Sequence, residues 1–561
     1  MQEYIYYSKD SLEFPLSEAI LVTTQENSQS NGYIVSNSQA VHAEVIAKEI
    51  DFYIKNSADS FSSKIKNVEK LYEINALRFD LAKDISFTQE ISNQVLLVCT
   101  QEQKKEFLDA IKEDEFDLYH VEASLVKEIL GHIGNLTVIV EDEGKEVELN
   151  VSQIVWFEST PMSIRQSGTF DPMESSIEEV LETLRKNIQH YSYKKFVTYD
   201  STICQYHERR EEICGKCAEV CPTVAIVKDD ATKHLTFSQI DCHGCGGCIS
   251  VCPSGAVDYS PTNRESLFEI SKFYEGHIAL VIPQKMDLEH LTLTLKENVL
   301  PLAIEGEKFL HEQSLLTLLQ ESGSQVVFYT DFLSKGTKDS IHILNQIYQK
   351  KYGLDAILLA MNEDELKNAL EIAQEVNHSR FTFNHSSLKK REIFSLRLQH
   401  MVQNENLGVI TTGEHIHYAQ VKVNESACTL CLACVGACNV NALSANPKDN
   451  SLRLNASLCT ACGYCEVSCP EKNCLTIEKD VIQLNPTWFS NQILAKDELF
   501  ACVECGEEFA TKKAVEKIAN MMAPIFAADP IKVRTLYCCE ACKPKIMMKN
   551  IFEQQKNGVL V

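Results

Sequence analysis

Sixteen of the 23 cysteines in this 561-residue chain fall into four short runs, and the runs come in two pairs. The later pair is the more regular. Cys428, Cys431, Cys434 and Cys438 are spaced C-x2-C-x2-C-x3-C, and Cys459, Cys462, Cys465 and Cys469 repeat that spacing before Pro470. The earlier pair ends with another copy, Cys242, Cys245, Cys248 and Cys252, followed by Pro253. Its opening run is stretched. Nine residues separate Cys204 from Cys214, Cys217 and Cys221, and Pro222 follows.

That spacing suits cubane [4Fe–4S] clusters, each of which needs four converging thiolates. Three cysteines two residues apart can wrap one cluster, while the fourth points away and serves its neighbour. The expected ligand sets are therefore Cys428, Cys431, Cys434 and Cys469, and Cys459, Cys462, Cys465 and Cys438. In the earlier pair they are Cys242, Cys245, Cys248 and Cys221, and Cys204, Cys214, Cys217 and Cys252. Gly246, Gly247 and Gly463 lie inside the loops, where the lack of a Cβ lets backbone approach inorganic sulfur. Exchange of the last ligand ties two half-modules together, so cluster binding and folding become one event.

On these motifs, residues 201–262 and 419–480 both resemble bacterial-type ferredoxin domains with two [4Fe–4S] clusters each. The chain as a whole resembles a polyferredoxin-type iron–sulfur protein. Ala225-Ile226, Ala256-Val257 and Ala442-Leu443, after the fourth cysteines, would open short strands. Two departures from the pattern stand out. The gap after Cys204 leaves that ligand outside the regular spacing, and Asn439 replaces the proline expected after Cys438. The resemblance implies one-electron transfer, with a formate dehydrogenase, hydrogenase or related oxidoreductase as redox partner. Disulfides belong to secreted, usually small proteins, and zinc sites pair two C-x2-C knuckles across a longer gap. Neither alternative accounts for runs of three.

Cys502, Cys505, Cys539 and Cys542 do form two such knuckles, around a basic, helix-like stretch from Thr511 to Met522. They suit one structural zinc, with rubredoxin-type iron as the less favoured metal. Free thiols are the bland alternative. Cys538 could replace Cys539, but only Cys539 keeps the two-residue spacing to Cys542. Cys99 reads as a small buried hydrophobe, and Cys474, five residues beyond Cys469, reads as a bystander, with contact to that cluster as the alternative.

Lysine and arginine total 53 against 79 aspartates and glutamates, a formal charge of −26. Such acidity argues against nucleic acid and suits docking to a basic patch on a redox partner. No apolar run reaches the length of a membrane span. The N-terminus lacks the basic and apolar regions of a signal peptide. The expected location is cytoplasmic.

The expected fold is multidomain α+β, with two ferredoxin-like modules flanking a small parallel α/β domain. Residues 1–160 read as an N-terminal α/β domain, 161–200 as a linker and 201–262 as the first module. Residues 275–378 form the central domain, 379–418 a second linker, 419–480 the second module and 498–545 the zinc-ribbon-like segment. In the central domain, strands His277–Pro283, Gln325–Thr330 and Ala356–Met361 alternate with helices Leu288–Glu297, Phe309–Glu321, Lys338–Lys351 and Glu363–Glu375. The domain has a faint similarity to the delta-subunit-like domain of methyl-viologen-reducing hydrogenases, without its cluster cysteines. In the N-terminal domain, Val95–Cys99, a helix Gln103–Lys112 and Leu118–Val121 precede a meander of Leu136–Val140, Glu146–Val151 and Ile154–Phe157. Its turn is Glu141–Gly144, and Gln25–Gln39 reads as a loop. Gly131-His-Ile-Gly134 falls short of a dinucleotide fingerprint, and no Walker A loop is present.

These readings favour an electron carrier or electron-transfer subunit without catalytic residues. The alternative is a catalytic oxidoreductase subunit with an unrecognised flavin or nicotinamide site. A structural or sensing role for the clusters ranks third. His207 and His243 lie beside cluster cysteines; the favoured reading of each is a solvated loop residue, and the alternative is a group that tunes potential or couples protons.

Overall fold

The computed structural model describes residues 3–556 except 11, 27–31, 113, 143 and 159. Parts of the expected Gln25–Gln39 loop and of the Glu141–Gly144 turn thus lie outside the described residues. The chain is multidomain and mixed α/β, and it divides into two compact units, Met1–Leu388 and Lys389–Val561.

Three four-stranded parallel sheets organise the first unit, all with the same strand order. In each, the first strand lies inside, the second on one flank, and the third and fourth on the other. The first sheet uses Tyr4–Tyr7, Ile20–Thr23, Val35–Ser36 and Val45–Ile46. The second uses Gln94–Val98, Asp117–Val121, Gln153–Trp156 and Thr169–Phe170. The third uses Ile278–Pro283, Val299–Ile304, Val326–Tyr329 and Ile357–Ala360.

In the third sheet, strand Ile278–Pro283 is buried at every position, as a parallel strand covered on both faces requires. Helices Glu312–Ser322 and Lys335–Tyr352 connect its last three strands, and helix Glu363–Ile372 follows the fourth. Gly323 and Gly353 close the first two of these helices in the left-handed conformation, where the absence of a Cβ removes the steric cost.

The expected helix Leu288–Glu297 is absent. Leu291, Leu293 and Leu295 are buried while Thr292 and Thr294 face solvent, a period of two that belongs to extended chain. Leu295 pairs with Ser57 in an isolated parallel bridge. The strand that follows, Val299–Ile304, contains Pro301 and lies at the sheet edge, where a residue without an N–H is tolerated.

Residues 1–160 contribute to two of the three sheets. Helices Glu49–Asn56 and Phe61–Leu81 reach both the first and the third: the Tyr72 hydroxyl donates to the Ile5 carbonyl at 2.9 Å, and its ring stacks on Tyr4. The buried Arg78 donates to the Ala303 carbonyl at 2.7 Å, and Asn263 Nδ2 donates to the Leu81 carbonyl at 2.7 Å. The second sheet has its own core around Val95, Leu97, Phe107 and Val155. Helix Ile177–Asn187, inside the expected linker 161–200, adds Val180, Leu181 and Leu184 to that core. An antiparallel meander rises from the same sheet, but its strands are Val126–His132, Asn135–Asp142 and Lys145–Val151. Gln153–Trp156 leaves it for the parallel sheet. Gly131 and Gly134 bracket the first turn of the meander, both with positive φ, so this pair serves a hairpin.

The two cysteine-rich modules share a plan. In each, the first and last strands pair antiparallel, Val197–Tyr199 with Val257–Tyr259 and Ala419–Val423 with Leu475–Lys479. A hairpin lies between them, Ile226–Asp229 with His234–Phe237 and Leu443–Asn446 with Ser451–Leu454. Four-residue helices follow the cysteine loops at Lys216–Glu219, Gly247–Ser250, Ala433–Gly436 and Tyr464–Val467. The second unit adds helix Lys390–Val402, within the expected linker 379–418. Its C-terminal segment holds the hairpin Leu499–Ala501/Glu508–Thr511 and helices Lys512–Met522, Pro530–Thr535 and Cys542–Lys556.

Candidate iron–sulfur and metal sites

The cysteine loops owe their shape to a repeated backbone device. In Cys242-His-Gly-Cys-Gly-Gly-Cys248, Gly244 and Gly246 take positive φ. In Cys459–Cys465, Ala461 and Gly463 do so at the same two places, and in Cys428–Cys434, Leu430 and Leu432. A side chain at such a φ costs about 1 to 2 kcal/mol, so three of these six positions carry strain that the loop must overcome. The turn aims backbone N–H groups back at sulfur. Ala461 N–H donates to Cys459 Sγ at 3.5 Å, and Tyr206 N–H donates to Cys204 Sγ at 3.4 Å. Donors placed this way stabilise negative charge on sulfur.

In two of the expected sets the fourth thiol comes from the other run. One cavity is lined by Cys221, Cys242, Cys245 and Cys248, with Val197, Ile226 and Phe237 supplying apolar walls. A second is lined by Cys428, Cys431, Cys434 and Cys469 with Leu432 and Leu452. In the remaining sets the thiols sense one another. Burial first, then Cys252, Cys214 and Cys204, push the Cys217 thiol well above its ordinary range. Burial, then Cys459, Cys462 and Cys438, raise Cys465.

The same causes act through all four sets. Burial raises Cys214 and Cys242 to about 11 and Cys434 and Cys459 to about 12, with neighbouring cysteines adding to it and backbone N–H groups opposing it. Dry pockets that crowd four thiols are unfavourable for free thiolates and suited to a group that neutralises them. The donors are all sulfur, the walls are apolar and N–H groups face the sulfurs, so the residues fit a [4Fe–4S] cluster.

Cys474 takes the less favoured of its two expected places, against the cluster site rather than as a bystander. Its buried thiol lines the second cavity. Burial, then Cys428 and Cys469, raise it to about 12. Its place five residues after Cys469 left this contact open, and the fold of Leu475–Lys479 against Ala419–Val423 brings it back to Cys428. Cys99 is buried in the core of the second sheet, as expected.

At the C-terminal segment, the ligand atoms of Cys502, Cys505, Cys539 and Cys542 all lie within 4.8 Å of one another. Cys505 Sγ and Cys539 Sγ are 3.7 Å apart, against an edge of about 3.8 Å for a tetrahedron with 2.3 Å metal–sulfur bonds. Cys539 N–H donates to Cys502 Sγ at 3.2 Å. Burial raises the Cys502 thiol, but the N–H groups of Cys539, Cys505 and Glu504 outweigh it and hold it at about 6. Cys538 stays outside the set, with its thiol toward the Arg534 carbonyl. This arrangement can hold one tetrahedral metal ion.

None of the 23 cysteines forms a disulfide. Among the described residues, no helix is long and apolar enough to cross a membrane.

A protein whose thiols are gathered in these sets is an iron–sulfur protein. Residues 212–256 match the family described as 4Fe-4S dicluster domain. The match begins beyond Cys204 and takes in Cys214 through Cys252, so it covers seven of the eight cysteines of the first module. No curated protein matches the chain.

Proposed function

We propose that this protein is a polyferredoxin-type electron carrier or electron-transfer subunit. In this reading it holds four [4Fe–4S] clusters in two modules and passes single electrons to or from a partner oxidoreductase, such as a formate dehydrogenase or hydrogenase. One observation carries the reading. In both cysteine-lined cavities three thiols come from one run and the fourth from its partner run, the exchange expected of paired cubane sites. The match of residues 212–256 to a dicluster family supports the same chemistry.

When bound, the clusters supply one-electron storage without proton or atom transfer. The chain's own residues hold the sulfurs, exclude water and set the charge each site tolerates. Val197, Ile226 and Phe237 keep one site dry, and Leu432 and Leu452 another. The N–H groups of Ala461 and Tyr206 stabilise the more negative, reduced state. The C-terminal four-cysteine site takes a structural zinc, and the second module docks beside it. Thr511 Oγ1 donates to the Thr429 carbonyl at 2.8 Å, and Lys513 Nζ donates to the Glu425 carbonyl at 2.8 Å. The acidic surface would steer the protein to a basic patch on its partner.

Anaerobic purification with iron, acid-labile sulfide and zinc measured on one sample tests this, followed by EPR of the reduced protein. About 16 iron and about 1 zinc per chain, with spin-coupled signals, are expected. About 8 iron would leave one module empty and overturn the four-cluster reading.

A further inference from the structure

The nine residues that stretch the first run, 205–213, build something of their own. Glu208 N–H donates to the Lys233 carbonyl at 3.1 Å, tying the insertion to the turn of the hairpin Ile226–Asp229/His234–Phe237. Both residues of that tie take positive φ, Glu208 at 53° and Lys233 at 56°. The contact brings three groups together that are not close in sequence. His207 Nε2 and His234 Nε2 each lie 3.7 Å from Glu208 Oε1, and the two imidazole rings meet edge-on with centroids 4.6 Å apart.

We propose that His207, Glu208 and His234 form a binding site for one divalent transition-metal ion of the zinc class, and that the ion raises the reduction potential of the cluster held by Cys204.

The geometry carries this. At 3.7 Å the nitrogens are too far from Glu208 for a hydrogen bond. They are near the nitrogen–oxygen edge of about 3.3 Å that a tetrahedral ion with bonds of about 2.0–2.1 Å would set. All three ligand atoms fall within 4.8 Å of one another, so closing by a few tenths of an ångström completes the set. Nδ1 of His207 is buried without a hydrogen-bond partner, which leaves Nε2 as the nitrogen presented to the site. Glu208 has no lysine or arginine partner among the described residues. Lys233, beside His234, turns instead to Asp230 at 3.6 Å and to the face of Tyr206. Glu208 and His234 are both exposed, so water can fill the remaining positions. Two imidazoles and one carboxylate select zinc, nickel, cobalt or ferrous iron over calcium and magnesium, which prefer all-oxygen ligands.

The site also stands next to a cluster ligand. Tyr206, whose N–H donates to Cys204 Sγ, is the residue before His207. A fixed positive charge there favours the reduced, more negative cluster. The coupling rests on the four-cluster reading above, but the site itself does not, since zinc is counted separately from iron.

The test is a zinc titration of the full-length, anaerobically cluster-loaded protein with its C-terminal zinc in place. His234→Ala and Glu208→Gln are run alongside, with iron content confirming that the variants fold. One further zinc per chain at micromolar concentration is expected in the unaltered protein and in neither variant. Equal zinc uptake by all three, or none below millimolar zinc, would overturn the site and leave a simple ion-paired trio. Potentiometric EPR then reads the coupling. One cluster of the first module should shift to higher potential with zinc in the unaltered protein and stay fixed in His234→Ala. Bound zinc with no shift would overturn the coupling.

Discussion

The loops Cys242–Cys248 and Cys459–Cys465 share a spacing and a backbone conformation, yet they live in different surroundings. A Cβ added at Gly246 would lie 2.4 Å from Phe309 Cβ, and Lys308 N–H donates to the Cys245 carbonyl at 2.9 Å. The α/β layer is packed directly onto this loop. At the matching Gly463, a Cβ would meet nothing within 4 Å. One glycine serves close packing as well as its φ, and the other serves φ alone. The third loop needs no glycine, since Leu430 and Leu432 take the same conformation. Spacing of cysteines thus fixes the backbone of such a loop, while the identity of the residues between them records what lies against it.

The sharpest way to break the comparison is to remove one exchanged ligand from each module. Cys469→Ala should empty the site of Cys428, Cys431 and Cys434 and leave that of Cys459, Cys462 and Cys465 filled. Cys221→Ala should likewise empty the site of Cys242, Cys245 and Cys248. Each loses about 4 of about 16 iron. Which EPR signal disappears decides the pairing, and loss from the variant's own run would show that no exchange occurs.

A smaller effect separates the two glycines. Gly246→Ala should destabilise the loaded protein by roughly 2 to 4 kcal/mol, combining overpacking with backbone strain. Gly463→Ala should cost only the backbone strain, about 1 to 2 kcal/mol. Denaturant midpoints of the two variants measure the gap, and equal costs would mean that Phe309 moves aside freely.

Without clusters, the raised thiols make the fold sensitive to alkali. Cys214, Cys242, Cys434 and Cys459 sit at about 11 to 12, above the value near 8.5 of an unfolded thiol. Folded apoprotein therefore holds more protons than unfolded chain above about pH 8.5, and stability falls as pH rises from there toward about 12. In the loaded protein the same sulfurs are already thiolates, so its melting temperature should change less over that range.

The smallest expected effect lies at the surface of the second module. Lys517 pairs with Glu471 and holds its carboxyl below the usual range. Lys517→Ala should cost no more than about 1 kcal/mol, because Thr511 and Lys513 still fasten helix Lys512–Met522 to the cluster loop. A larger loss in denaturant midpoint would make the ion pair the main fastening.

What could be read from the sequence follows from how local each signal is. Cysteine spacing acts over a few residues, and two of the sets it implies line common cavities, Cys221 with Cys242, Cys245 and Cys248, and Cys469 with Cys428, Cys431 and Cys434. Three of the four strands of the third sheet were legible because their apolar runs are continuous, as at Ile278–Pro283. Leu288–Glu297 misled because its leucines also satisfy a loose helical count, and only the outward threonines reveal the period of two. Val299–Ile304 was hidden by Pro301, which an edge strand accepts. Cys474 near Cys428, and His234 near Glu208, arise from strand pairings that no local spacing encodes.

The placement of Arg78 and Leu81 against Ala303 and Asn263 has a consequence for synthesis. Helix Phe61–Leu81 meets Tyr4, Ile5 and Glu49 from chain already made, but its C-terminal end finds Ala303 and Asn263 only in residues made some two hundred positions later. At about 5 to 20 residues per second on the ribosome, that helix waits on the order of ten to forty seconds for its partner strand. The whole of the first cysteine module emerges within that interval. Iron and sulfide can therefore reach Cys204 through Cys252 before Gly246 is sealed beneath Phe309, and a chain that closed before loading would have to reopen that contact to be filled.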